Sequence, residues 1–280
     1  MSMKSTINNG KHLYGAIIGD IAGSVYEFSR QKSYDFELFP YGCDITDDSI
    51  LTVATAFAIL DTGTRTTEDQ FADAYYEFAK KYPRPMGGYG MSFSTWVHDA
   101  KKRPYNSLGN GCAMRVSPCA YTSMYLDRCI ALATRSSAST HNHWQGIRAA
   151  QCITTAIYLL NHGSSVKEVL DYLDRQFCYE KVTFYVKRPD IFEAYRNNYE
   201  YTEHAEPTVI GALICALSAT SFEDAIRRAV SLGGDADTLA AIAGSVAEAR
   251  FEIPESMIQI ADRLLPDHLK DIITAYNKKI

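Results

Sequence analysis

No apolar run in this 280-residue chain approaches the ~18–20 residues of a bilayer-spanning helix, so no membrane partner is expected. The opening stretch, Met1 to Lys11, is polar and has no hydrophobic segment of the kind that marks a secretory leader. Basic residues are outnumbered, 28 Lys and Arg against 33 Asp and Glu for a net charge of −5, and there is no extended basic tract. Nucleic acid is therefore not expected as a primary partner, since a backbone-wrapping protein presents a basic face. No CxxC pair occurs among the seven cysteines, and their odd number excludes a simple disulfide framework or a zinc site. Cys152 and Cys215 sit among apolar residues, as small core residues do in a reducing compartment, which points to the cytoplasm. Alternating strand patterns are scarce, and no linker, repeat or low-complexity block divides the chain.

What is present is helical periodicity. A hydrophobic content of 46%, with 22% charged and 12% aromatic residues, excludes disorder as a description of the whole chain. Tyr14, Ile17, Ile18, Ile21, Ala22 and Val25 recur at three- and four-residue steps, which predicts a helix over 14–28. The same pattern predicts helices over 46–60, 67–80, 124–133, 144–162, 165–176, 207–219, 222–231, 236–250 and 255–277. Pro207, Ser221 and Pro254 serve as start signals. Lys181 to Val186 is the best strand candidate. The expectation is an all-α fold of about a dozen helices, a single domain over 1–280 with 1–12 as a flexible extension, and a monomer. Irregular segments are expected over 30–46, 82–93, 103–118 and 134–143.

Two of the helices open on acid. Thr46-Asp47-Asp48 begins one, and Asp235-Ala236-Asp237-Thr238 begins another. Either alone is explained by N-capping and by first-turn carboxylates complementing the helix dipole. Together they carry more carboxylates than two caps can use, and each runs directly into an apolar stretch that anchors it in the core. If the two starts meet, four carboxylates share one small volume and need cations or protons to stay there. An all-oxygen set without Cys or His suits Mg²⁺, Mn²⁺ or Ca²⁺, and its size suits a two-metal site.

Gly19-Asp20-Ile21-Ala22-Gly23 with Glu27 on the first helix, Thr46-Asp47-Asp48-Ser49, Gly109-Asn110-Gly111-Cys112-Ala113-Met114-Arg115, Thr140-His141 and Gly233-Gly234-Asp235-Ala236-Asp237-Thr238 occur in this order. On these motifs, from about residue 14 to 250, the chain resembles the ADP-ribosylglycohydrolase family. That family includes the dinitrogenase-reductase-activating glycohydrolases and the ADP-ribosyl-acceptor hydrolases. Ser49 and Ala236 stand where Thr is more usual, and neither change removes a ligand-bearing position.

The resemblance implies a compact orthogonal helical bundle with a central cleft holding two Mg²⁺, or Mn²⁺ in their place. It implies Thr46, Asp47, Asp48, Asp235, Asp237 and Thr238 as metal ligands, with Glu27 in catalysis and Asp47 or Asp48 sharing the base role. It also implies substrate contacts from Gly88, Tyr89 and Gly90, from Ser107, Leu108, Gly109, Asn110, Gly111 and Met114, and from His141. Exposed N–H groups of the glycine-dense 85–90 turn can cradle a diphosphate. Arg115 is read either as a phosphate partner or as half of an internal salt bridge, and residues 29–43 as a mobile lid. The implied activity is release of ADP-ribose from a modified acceptor. Protein arginine is favoured over serine, O-acetyl-ADP-ribose or a nucleic-acid linkage, and the partner is an ADP-ribosylated protein or a small conjugate. The rivals are a phosphohydrolase using His141 and His143 as mixed ligands, a non-catalytic ADP-ribose binder, and cysteine-based hydrolysis by Cys112 with His141.

Overall fold

The computed structural model describes residues 10–99 and 102–280. The helices run α1 (Tyr14–Gly23), α2 (Asp47–Thr62), α3 (Glu68–Lys81), α4 (Met91–His98), α5 (Gly111–Met114), α6 (Ser117–Tyr121), α7 (Leu126–Ala138) and α8 (Trp144–Asn161). They continue as α9 (Val166–Phe177), α10 (Glu180–Val186), α11 (Phe192–Asn198), α12 (Ala205–Ser218), α13 (Phe222–Val230), α14 (Ala236–Glu248), α15 (Glu255–Leu264) and α16 (Asp267–Lys279). The described residues form no strand, only two isolated bridges, so the fold is all-α as expected.

The centre of the bundle is α14, every residue of which is buried. It packs on α1, α12, α13 and α8 and reaches α2 and α5 at its N-terminal end. The contact with α1 is backbone on backbone. A Cβ built on Gly15 would collide with Gly244, one on Gly19 with the Ala240 carbonyl, and one on Gly23 with Ala236. The four-residue spacing of these glycines puts them on one face of α1, so the seam is as close as two helices can come. At its other end Glu248 of α14 accepts from the N–H groups of Leu13 and Gly15, at 3.0 and 2.5 Å, satisfying orphan donors of the α1 start.

Several elements differ from the periodicity reading. The 181–186 segment is helical (α10), because Val182 is buried while Phe184, its partner in an alternating pattern, is exposed. The predicted helix over 255–277 is two helices, since Pro266 cannot continue α15 and instead precedes α16. Short helices α4, α5 and α6 occupy parts of the segments read as irregular. The first helix stops at Gly23, so Glu27 lies in the turns that follow it and not on the helix. Of the segment expected as a flexible extension, residues 1–9 lie outside the described residues. His12 is buried and exchanges hydrogen bonds with Asn277 of α16 at 3.0 and 3.2 Å.

No described helix is long and apolar enough to cross a membrane. The α1–α14 seam yields a stability prediction. Gly19→Ala should cost about 1–3 kcal/mol or more by overpacking and lower the melting temperature by several degrees. Gly63→Ala, where nothing lies within 4 Å, should cost only the strain of its positive φ of 57°.

Candidate active site

The α1–α14 seam brings the start of α14 beside the start of α2. There the two acidic motifs meet: the Thr238 hydroxyl donates to Asp48 Oδ2 at 3.2 Å across 190 residues of sequence. The α2 start is set by Asp20 of α1, a fully buried carboxylate. The Thr46 N–H (2.9 Å), the Thr46 hydroxyl (2.7 Å), the Ser49 N–H (3.1 Å) and the Ser49 hydroxyl all donate to it. Thr46 in turn caps α2 by accepting from the Asp48 N–H at 3.2 Å. Asp235 precedes α14 without capping it, and its Oδ2 accepts instead from Asn110 Nδ2 at 2.7 Å. Helix capping therefore accounts for Thr46 at the first start, but for none of the carboxylates at either start.

Glu27, Asp235 and Asp237 place ligand oxygens within 4.8 Å of one another. The sequence reading set Glu27 apart as catalytic; the fold puts it inside the acidic cluster. Gly87, with a positive φ of 73°, packs against the Glu27 carboxylate so closely that a Cβ there would fall 2.6 Å from Oε2.

This crowding shows in the acidities. Burial first, then Asp237 and Asp20, push Glu27 from 4.5 to about 8. Burial and neighbouring carboxylates hold Asp47, Asp48 and Asp237 well above the ordinary range. Burial lifts Asp235 to about 6 against the hydrogen bond from Asn110. Glu27 Oε2 and Asp48 Oδ1 are buried with no hydrogen-bond partner. Unpartnered carboxylate oxygens in an all-oxygen cluster are what a hard divalent cation would satisfy. The donor set fits such an ion.

A cavity of about 400 Å³ opens above the cluster, within the usual range for a small-molecule site. Glu27, Asp47, Asp48, Asp235, Asp237 and Thr238 form its acidic end. Gly88, Tyr89, Gly90, Ser107, Gly109, Asn110, Gly111, Met114 and His141 also line it. Two expected residues do not. Thr46 is fully buried with its hydroxyl engaged by Asp20, and Leu108 uses its carbonyl to accept from the Ala205 N–H at 2.8 Å. With the Asn110 N–H donating to the Glu203 carbonyl, also at 2.8 Å, that bond ties the 107–111 loop to the segment before α12.

Two donors of the glycine-dense turns are engaged within the turns themselves. The Gly88 N–H donates to Pro85 and the Gly109 N–H to Ser107 Oγ, so these donors are not free to cradle a diphosphate. What the glycines supply is close approach. A Cβ on Gly111 would come within 3.3 Å of His141 Nε2.

That histidine stands at the end of a hydrogen-bond chain. Arg115, fully buried over the Tyr75 ring at 3.9 Å, donates to Thr140 Oγ1, which is 2.7 Å from His141 Nδ1. Thr140 Oγ1 thus links the Arg115 guanidinium to the Nδ1 side of the ring and leaves Nε2 facing Gly111. Burial, then Arg115, holds the His141 pKa well below its usual value. Arg115 makes no carboxylate ion pair among the described residues.

The rival chemistries lose their parts. Cys112 is buried, its thiol donates to the Gly146 carbonyl at 3.2 Å, and burial pushes its pKa to about 11, so it holds no thiolate near neutrality. His143 caps α8 by accepting from the Gln145 N–H, and no histidine joins the carboxylate cluster. The expected lid over 29–43 is strapped down. Lys32 Nζ donates to the carbonyls of Arg196 (2.8 Å), Tyr199 (2.6 Å) and Leu232, and Tyr34 donates to Asp224 at 2.8 Å. No residue of that segment lines the cavity.

Asp20 is the residue that sequence reasoning passed over, although an aspartate among Ile17, Ile18 and Ile21 was a signal. Tyr105, Tyr201 and Glu203, which also line the cavity, stand on loops with no pattern to mark them.

No curated protein matches this sequence significantly. Among solved structures, one described as an ADP-ribosylglycohydrolase-related protein complex aligns with a TM-score of 0.67 at 20% identity. The alignment covers 98% of this chain and 99% of that one, which establishes a shared fold. A family profile described as ADP-ribosylglycohydrolase matches residues 11–278. Such a family supports hydrolysis of ADP-ribose conjugates. Because that match takes in nearly the whole sequence, acidic cluster and cavity included, the chain belongs to the ADP-ribosylglycohydrolase family.

Proposed function

We propose that this protein is a divalent-metal-dependent glycohydrolase that releases ADP-ribose from a modified acceptor, with ADP-ribosyl-arginine as the favoured substrate. The observation that carries the reading is the meeting of two acidic helix starts with Glu27 at one end of a single cavity. Asp47, Asp48, Asp235, Asp237 and Thr238 are the residues to hold two Mg²⁺, with Mn²⁺ as the alternative. Glu27 Oε2 and Asp48 Oδ1 have oxygens to spare for them. Bound there, the cations supply charge stabilisation and orientation for the ribose hydroxyls and the attacking water.

The rest is the work of the chain. His141 turns Nε2 towards the sugar–phosphate portion beside Gly109 and Gly111, and Arg115 beneath it sets a positive potential for the diphosphate. Asn110 holds Asp235 in place. Glycosidic cleavage passes through an oxocarbenium-like centre at the anomeric carbon. Glu27, whose affinity for a proton is raised by burial and then by its acidic neighbours, takes the proton of the attacking water, a role that Asp47 or Asp48 shares. The carboxylates also favour a cationic guanidinium leaving group, which is why arginine is preferred to serine or an ester.

The direct test is a panel of Arg-, Ser- and O-acetyl-linked ADP-ribose substrates with and without Mg²⁺. Release of free ADP-ribose that needs the metal is expected, fastest from the arginine linkage. Release of phosphate or a nucleoside monophosphate would overturn the reading. Asp235→Ala and Asp47→Ala should abolish turnover, and Glu27→Gln should slow it by about 10²–10⁴-fold, whereas Cys112→Ala should retain activity.

The acidities also predict a linked pH dependence. Without cation, the folded carboxylates hold protons that the unfolded chain releases near 3.8, so stability falls as pH rises from about 4 towards 8. Cation binding requires their ionisation and opposes that loss. Thermal melts should show a Mg²⁺-induced rise that grows between pH 6 and 8 and vanishes in Asp237→Ala; a pH-independent rise would count against this cluster as the metal site.

A further inference from the structure

A second cavity, of about 690 Å³, lies beside the first, and Tyr201 lines both. Tyr201 stands with the acidic residues of the first cavity: its hydroxyl donates to Glu203 Oε1 at 3.1 Å, and both line that cavity with Asp235 and Glu27. On the glycohydrolase reading the acceptor side of the bond belongs at this acidic end, where Tyr201 is the wall shared by the two cavities.

The second cavity is built from aromatic faces. Tyr185 and Tyr195 are 4.4 Å apart between ring centroids, and Tyr195 and Tyr199 are 5.9 Å apart at a steep 66°. Glu200 and Glu206 stand among them, with Glu203 just beyond on the neighbouring cavity. A tyrosine face attracts a cation and a carboxylate beside it adds to the attraction. The chain's own Lys181 already uses this property, with its ammonium 5.7 Å from the Tyr195 centroid. The strap that ends at Lys32 fixes the Tyr199 and Arg196 carbonyls, so this wall is held in place.

We propose that this second cavity binds the acceptor polypeptide next to its modified residue, with an arginine or lysine side chain of that peptide lying against the tyrosine wall beside Glu200 and Glu206. The assignment rests on the glycohydrolase reading above and narrows it to acceptors whose ADP-ribosylated residue lies in a basic stretch. Its charge complementarity and its shared wall with the catalytic cavity distinguish it from a general surface hollow.

The experiment compares three substrates of one linkage: a small ADP-ribosyl amino acid, an ADP-ribosylated peptide with neutral neighbours, and one with arginines beside the modified residue. The basic peptide should have a KM about tenfold below that of the neutral one, with the advantage lost at high salt. Glu200→Gln, an exposed change, and Tyr185→Ala, checked by its melt, should erase that advantage. They should leave kcat, and all kinetics on the small conjugate, unchanged. Equal KM for the two peptides in the wild type, or variants that slow the small conjugate as much as the peptide, would overturn the proposal. Binding of the unmodified arginine-rich peptide, read by fluorescence anisotropy, separates the two readings. If no conjugate is turned over, binding that Glu200→Gln weakens still supports the cavity, and absence of binding rejects it.

Discussion

The backbones of α1 and α14 touch. Glycines at 15, 19 and 23 on one helix and 244 on the other let the two backbones approach closely, and the position of the acidic end follows from that contact. With the seam closed, Asp20 of α1 points at the start of α2 and receives the donors of Thr46 and Ser49. The start of α14 lies alongside, so three elements distant in sequence present their carboxylates to one point. A side chain anywhere along the seam would part the helices and open the cluster.

The cluster is costly in isolation. Buried carboxylates repel one another and lose hydration, and the raised pKa values of Glu27, Asp47, Asp48 and Asp237 report that strain. The protein holds it by two means. Asp20 is surrounded by four donors, and Asp235 by the amide of Asn110, while oxygens of Glu27 and Asp48 stay without partners. The contrast separates scaffolding carboxylates from those left with free lone pairs for a ligand. Across the cavity, burial and then the charge of Arg115 hold His141 neutral, and Thr140 stands between the two side chains. One cavity thus has an acidic end and, across from it, a buried arginine beside His141.

The helices with strong periodicity were legible because their apolar stripes are long: α2, α3, α8, α9 and α13 lie within a few residues of their expected spans. Short elements were not. Six residues such as 181–186 satisfy both an alternating and a helical pattern, and packing of Val182 against the core chose between them. The two acidic starts stood out because each held more charge than a cap can use, and Asp235 bears this out by not capping its helix. The 29–43 segment has mixed charge that reads as a loose flap, yet Lys32 and Tyr34 find carbonyl and carboxylate partners on distant turns and pin it.

Local chemistry, then, was determined by the chain alone: which long periodic segments form helices, which helix starts are acidic, and which family the ordered motifs resemble. Tertiary structure decided the company each residue keeps. It put Glu27 in a turn within the carboxylate cluster, buried Thr46 and Cys112, gave Asp20 its anchoring role, and set a tyrosine-walled cavity beside the catalytic one. Periodicity is a property of neighbours along the chain, whereas acidity and hydrogen-bond satisfaction depend on neighbours in space, and here those come from segments as much as 265 residues apart.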